Sequence, residues 1–339
     1  MPQLLDPKCS QSPEKSVAKC LYCGASKATL WLRKVQDRLQ YVSGEWDFYR
    51  CDECGSAMLH PMPTAEDLAS LYPPIYTFAP ELGARSRFSR LLAFLEYHLF
   101  FRPTYRTQAR IVSNYVRKHG IGKRLLDIGC GRGLRLLEFR REGFEVHGCD
   151  FSEESVSYLR DCHHISADVA DVSTLNTVYE ANSFDIVTAF YVIEHVVDVE
   201  EVFRSCLRLL KPGGVIVAVC PLSDSTQAKL FGNRWVVATE APRHTNIPSQ
   251  IGFIGACRDV GFEDITISAD STVANAACVG MSVFPNSSTT SVYGAGQWRV
   301  MVNRLLGAAL TYAVIPWALL DKWVFKRPAM GMLFARKPV

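Results

Sequence analysis

Residues 124–139, RLLDIGCGRGLRLLEF, decide the fold. The run Leu125-Leu126-Asp127-Ile128 reads as a strand. It ends in glycines at every second position, Gly129, Gly131 and Gly133. A helical pattern follows at once, with Leu134, Leu136, Leu137 and Phe139. Glycine-rich turns from strand to helix cradle nucleotides, because backbone amides at the helix start can approach a ligand. Two versions fail on spacing. A P-loop requires Lys-Ser or Lys-Thr after its last glycine, where this chain has Leu134-Arg135. The NAD fingerprint requires a glycine where Leu134 stands. Asp127, at the end of the strand, would repel a pyrophosphate and suits a cationic ligand.

From this turn outward, strands and helices alternate, the pattern of a parallel sheet with helices on both faces. Glu145–Cys149 reads as the second strand, ending at Asp150, and Ser152 caps the helix after it. Phe184–Phe190 reads as the fourth strand. A helix then begins at the N-cap Asp198, with Glu201 three positions on, and ends at Leu210-Lys-Pro-Gly-Gly214. Val215–Cys220 is a fifth strand, Ser249 caps a helix ending near Gly261, 264–269 is a sixth, and Gly331–Arg336 is the last.

With these elements in place, residues 124–270 resemble class I S-adenosylmethionine (SAM)-dependent methyltransferases of ubiquinone-type and sugar or natural-product pathways. The phrases that carry the resemblance are LLDIGCGRG, EVHGCDFS, SFDIVTAFYVIEHVVDVEEVF and LRLLKPGGVIVAVCP. It implies an α/β fold with a Rossmann-like, seven-stranded, mostly parallel sheet. It also implies SAM as cofactor, whose sulfonium and ammonium agree with an acidic strand end. Asp127 would favour the ammonium. Gly129, Cys130, Gly131 and Gly133 would offer amides to the methionine carboxylate. Asp150, with Phe151 beside it, would accept the ribose hydroxyls. Asp168 would take the adenine amino group, with Asp171 as a competitor. Phe190 and Tyr191 would border the methionine portion. A hydroxyl acceptor also needs a base, and a histidine has a near-neutral pKa. His244, in the PRHTN loop, and His195 are the candidates; for each, a purely structural role is the other reading.

Outside this region lie two further features. Cys20-Leu-Tyr-Cys23-Gly and Cys51-Asp-Glu-Cys54-Gly are two CxxC knuckles, each followed by glycine, the spacing of a structural four-thiolate zinc ribbon. Ordinary turns with buried thiols, or a redox pair, are the alternatives. Residues 305–320 carry no charge and are flanked by basic residues and by Trp298, Trp317 and Trp323. Interrupted by Pro316, the run is short for a spanning helix. It suits either a helix at a membrane interface or a hairpin packed on the sheet or in a dimer interface.

The boundaries read as a loose tail at 1–19, a zinc ribbon at 20–60, and a helical connector or lid at 61–120 interrupted by Pro103. The methyltransferase domain then runs from 121 to 339, with a hydrophobic helical insertion at about 297–327. A net charge of +3 over 339 residues argues against nucleic acid as partner. Twelve cysteines, several of them in apolar runs, and no apolar leader at the start suggest a reducing cytoplasm, with a seat on the inner membrane face under the first reading of 305–320. The expected activity is methyl transfer to a small-molecule or saccharide hydroxyl. C-methylation of a keto-sugar and RNA methylation are the alternatives.

Overall fold

The computed structural model describes residues 19–39, 41–72, 87–284 and 297–339; the expected tail, Lys19 excepted, lies outside them, as does Arg85. Strands β1 (Ala28–Val35), β2 (Trp46–Cys51) and β3 (Ala57–His60) pair antiparallel behind the cysteine knuckles. Their sheet gains a fourth strand, β9 (Asn246–Ile247), from the PRHTN loop, with Ala57 opposite Ile247 and Met58 opposite Asn246. The ribbon expected at 20–60 is therefore completed by a strand from far along the chain.

The second sheet contains β4 (Arg124–Ile128), β5 (Glu145–Asp150), β6 (Ser166–Val169), β7 (Phe184–Phe190), β8 (Leu210–Pro221), β10 (Glu263–Ala269) and β11 (Met330–Arg336). Their order is β10-β11-β8-β7-β4-β5-β6, and β11 runs antiparallel to both neighbours. The other pairings are parallel. This is the seven-stranded, mostly parallel sheet that the sequence implies. Central parallel strands are covered on both faces, hence the continuous apolar runs in β7 and β8. Leu125, Ile186 and Val217 pack with Val112 and Phe139 of helices 102–119 and 134–141. Leu126, Val187 and Ile216 join Phe203 and Phe253 of helices 199–209 and 250–260. The expected caps are present: Ser152, Asp198 and Ser249 accept amides of Ser155, Glu201 and Gly252.

Two details differ from the sequence reading. β8 starts at Leu210 rather than Val215, because Phe184 pairs with Leu210 and Ile186 with Val215, so Lys211–Gly214 bulge out of register. Pro103 does not interrupt the helical connector. A π-helical turn at Tyr97–Phe101 precedes it, and Pro103 sits in the first turn of helix 102–119, where its missing N–H is not needed. The hydrophobic insertion is a bent pair, Val302–Ala313 and Ile315–Phe325, at 48°. Among the described residues no single helix is long and apolar enough to cross a membrane. The first member of the pair packs on helix 272–283: a Cβ on Gly280 would lie 2.6 Å from the Gly307 carbonyl oxygen.

Candidate functional site

In open α/β sheets, ligands bind beyond the carboxyl ends of the strands where strand order reverses. Here that point lies between β4 and β7, and the glycine turn leaves β4 there. All three glycines adopt positive φ, at 66°, 52° and 71°. A Cβ on Gly129 would strike Val192 at 2.7 Å, and one on Gly133 would strike Leu159 at 2.5 Å. Only Gly131 faces open space. Two glycines thus make room for the chain's own side chains, and one leaves room for a ligand. The amides of Cys130, Gly131 and Gly133 donate to the Cys149 carbonyl, the Asp150 carboxylate and the Cys130 carbonyl, respectively.

Asp127 is fully buried beside this turn. Its Oδ1 accepts the Thr188 hydroxyl at 2.6 Å, while its Oδ2 has no hydrogen-bond partner. Burial pushes its carboxyl up to about 6, against the pull of Arg135. A buried, half-satisfied carboxylate costs free energy unless a donor or cation completes it. The ammonium of SAM is such a group, so the residues present fit the cofactor that the sequence implies.

Asp150 is also buried, and burial raises its carboxyl. Its two oxygens accept the amides of Gly131 at 2.8 Å and Ser152 at 2.9 Å, which fixes the rotamer and leaves lone pairs for a diol. Phe151, half exposed, tilts against Tyr72 at 5.6 Å. Asp168 pairs with Arg160 at 3.2 Å and accepts Tyr179 Oη–H at 3.0 Å. Its competitor Asp171 accepts the Ser173 hydroxyl and Thr174 amide of its own turn. Tyr191 follows β7 with φ of 60°, a left-handed conformation that a bulky residue keeps only where its surroundings enforce it. Its hydroxyl donates to Asp270 at 2.8 Å, and Gln108 also donates to Asp270. Arg135 donates to Gln108 at 3.0 Å and lies 4.2 Å over Phe190.

The two histidines come together, with ring centroids 4.6 Å apart. His244 Nδ1 lies 2.7 Å from the Val237 carbonyl, which can only accept, so the proton is on Nδ1 and Nε2 keeps its lone pair. Burial lowers His244 to about 4 and holds His195 well below the histidine range. His195 Nδ1 contacts the Arg243 carbonyl at 3.1 Å and Tyr72 Oη at 2.8 Å. Glu194 completes a trio that could share a metal ion, its ligand atoms within 4.8 Å of those of the histidines. Burial pushes its carboxyl up to about 7.

The loop carrying His244 is anchored to the ribbon. Arg243 is fully buried and donates to Asp37 at 2.9 and 2.5 Å and to Glu240 at 3.1 Å. Asp37 also accepts the amides of Leu39, Tyr41 and Val42. Burial alone would raise Glu240; Arg38 and Arg243 outweigh it and bring the carboxyl down to about 2.

Cys20, Cys23, Cys51 and Cys54 place their sulfurs within 4.8 Å of one another, a donor set that fits a tetrahedral zinc ion. Gly24 and Gly55 close the two knuckles by donating to the carbonyls of Cys20 and Cys51. Tyr22, Cys23, Ala25 and Ser56 offer backbone amides to the sulfurs. If one ion joins the four, elemental analysis finds about one zinc per chain. Cys51→Ser then loses it and loosens the ribbon, while SAM affinity is unchanged, because Asp127 and Asp150 stand on the other sheet. Zinc-free protein whose ribbon amides exchange no faster would rule the ion out.

A family model described as a methyltransferase domain matches residues 97–267, half of the chain. The chain belongs to this methyltransferase family. Similar proteins include the ubiquinone biosynthesis O-methyltransferase of Escherichia coli O157:H7, 33% identical over 121 residues, which cover 34% of this chain and 50% of that protein. The Vibrio cholerae serotype O1 protein of the same name is 38% identical over 109 residues, covering 30% of this chain and 44% of that protein. The chain thus spans about half the length of the curated relatives it matches. Among solved structures, phosphoethanolamine N-methyltransferase 2 of Haemonchus contortus in complex with SAM aligns with a TM-score of 0.47 and 21% identity, covering 67% of this chain and 52% of that one. A SAM-dependent methyltransferase from Archaeoglobus fulgidus aligns at 0.42 and 19%, covering 73% and 99%. Family, glycine turn and sheet order together make this methyltransferase a SAM-dependent, class I enzyme.

Several site residues escaped the sequence reading. Thr188, Gln108, Arg135 and Asp270 have no local motif; Gln108 and Asp270 meet across 162 positions.

Proposed function

We propose that the chain transfers a methyl group from SAM to a hydroxyl oxygen of a small-molecule acceptor, with His244 as the base. The observation that carries this reading is the tautomer of His244: the Val237 carbonyl holds the proton on Nδ1 and leaves Nε2 the lone pair a base requires. SAM supplies the methyl on a sulfonium, which becomes a neutral thioether as the bond to oxygen forms. Asp127 and Asp150 hold the two ends of the donor, and His244 Nε2 takes the hydroxyl proton. Fixing donor and acceptor in line contributes most of the rate, up to roughly 7–11 kcal/mol of barrier. The relatives named as O-methyltransferases support oxygen as the accepting atom.

Cofactor binding tests the first half of this reading. Asp127 titrates near 6 in the free protein, and pairing with an ammonium requires the carboxylate. Below that pH, binding must release a proton. The SAM dissociation constant is therefore expected to be flat above about pH 7 and to rise about tenfold per unit below about pH 6. Asp127→Asn should bind weakly and lose the dependence. Calorimetry showing a pH-independent affinity from 5 to 8 in the parent would remove Asp127 from the ammonium site.

A further inference from the structure

One cavity of about 390 Å³ lies apart from the nucleoside pocket and yet touches its wall. Its size is within the range of ligand sites, about 300–1,000 Å³. Helices 87–101, 102–119, 272–283 and 297–313 enclose it. At one end stand Tyr191 and Arg135, the residues that close off β7 and open the helix after the glycine turn. At the other stand Leu95, Leu99 and Leu305, which line the cavity and are also exposed to solvent, marking its mouth. Between them the walls are almost wholly apolar. Of the hydroxyls in the wall, Thr311 donates to the Gly307 carbonyl and Tyr191 to Asp270; Thr104 and Tyr105 add two more. Glu96 and Arg304, also in the wall, attract one another.

The cavity is built into the helix register. Gly280 meets the Gly307 backbone directly, which clamps helix 272–283 to helix 297–313. One and two turns back along the first helix stand Ala277 and Ala274, and on the second stands Ala308; all three line the cavity. Small side chains beside a close helix contact leave a void that Leu or Phe would fill. An apolar space of this size suits a hydrocarbon chain, which gains free energy by leaving water. The walls from helices 272–283 and 297–313 lie beyond residue 267, outside the matched methyltransferase domain, while Tyr105, Arg135 and Tyr191 lie within it.

From this geometry we infer that the acceptor is an amphiphile, its flexible hydrocarbon chain lying in the 272–313 cavity and its hydroxyl-bearing head beyond Tyr191 and Arg135. The inference rests on the methyl-transfer reading above and specifies its substrate class. A saccharide or phenol without a chain would leave the cavity empty. The shared chemistry is the chain itself, linear acyl or branched isoprenoid.

Equilibrium fluorescence with a dansylated long-chain fatty acid tests this on the full protein. The probe should bind with micromolar affinity, and either a long-chain fatty alcohol or an isoprenoid alcohol should displace it, the stronger competitor naming the chain type. Ala277→Phe and Ala308→Phe, on opposing helices, should each weaken the probe at least tenfold and leave SAM affinity within twofold. Unchanged probe binding in both variants, or displacement by neither alcohol, would overturn the inference. Retained SAM affinity shows that the variants fold. If SAM fails to bind the parent, the methyl-transfer reading fails, independently of the cavity result.

Discussion

His244→Ala is expected to lower the turnover rate by about 10²- to 10⁴-fold while SAM affinity stays unchanged. The imidazole belongs to the loop after β8, whereas Asp127 and Asp150 sit at the ends of β4 and β5, so the two effects separate. The pH profile supplies a second readout. Burial lowers His244 to about 4, so its Nε2 is available as a base throughout the neutral range. Activity limited by this group should fall only as pH drops through about 4, not near the ordinary histidine value of about 6.5. Steady-state kinetics would decide between roles. If kcat survives and only the acceptor KM rises, His244 is a binding residue, and the base is His195 or a group on the acceptor. That outcome would also revive C-methylation of an activated carbon acid, a reaction with a different proton to remove.

Asp150→Ala should weaken SAM by about 30- to 150-fold, the loss of roughly 2–3 kcal/mol in paired charge-assisted hydrogen bonds. Part of this effect is indirect. The same carboxylate fixes the Gly131 and Ser152 amides, so its removal also frees the turn above it. Asp150→Asn separates the two contributions. It keeps a carbonyl oxygen for one of these amides but loses the charge, and should bind with intermediate affinity. Titration calorimetry that finds equal affinity in the alanine variant and the parent would place the ribose elsewhere.

The sheet could be read from the chain because its signals are local. Each central strand is a short apolar run, and three of the helices carry a capping residue in place: Ser152, Asp198, Ser249. The site could be read only in part, for the same reason. Asp127 and Asp150 stand at strand ends next to the glycine turn, so position in the motif reveals them. The Gln108–Asp270–Tyr191 network joins residues far apart in the chain, and no period or spacing announces it. The glycines show a subtler limit. Their spacing marks the turn, but only coordinates reveal that Gly129 and Gly133 yield to Val192 and Leu159 rather than to a ligand. Pro103 misled in the opposite direction, since a proline breaks a helix only where its missing N–H is needed.

The shared strand β9 ties the histories of the two halves together. Asn246 binds the carbonyls of Ile193 and Val196, on either side of the catalytic-side turn, and receives Tyr22 Oη–H from between the first two knuckle cysteines. Arg243, a few positions before, has its charge answered by Asp37 of the ribbon. Replacing Asp37 alone would leave the buried guanidinium with only Glu240 as its carboxylate partner among the described residues, at a cost of up to roughly 3–5 kcal/mol. A lineage could not shed or exchange the ribbon as a cassette unless Arg243 and its loop changed in the same step, so ribbon and loop are expected to be inherited as one unit.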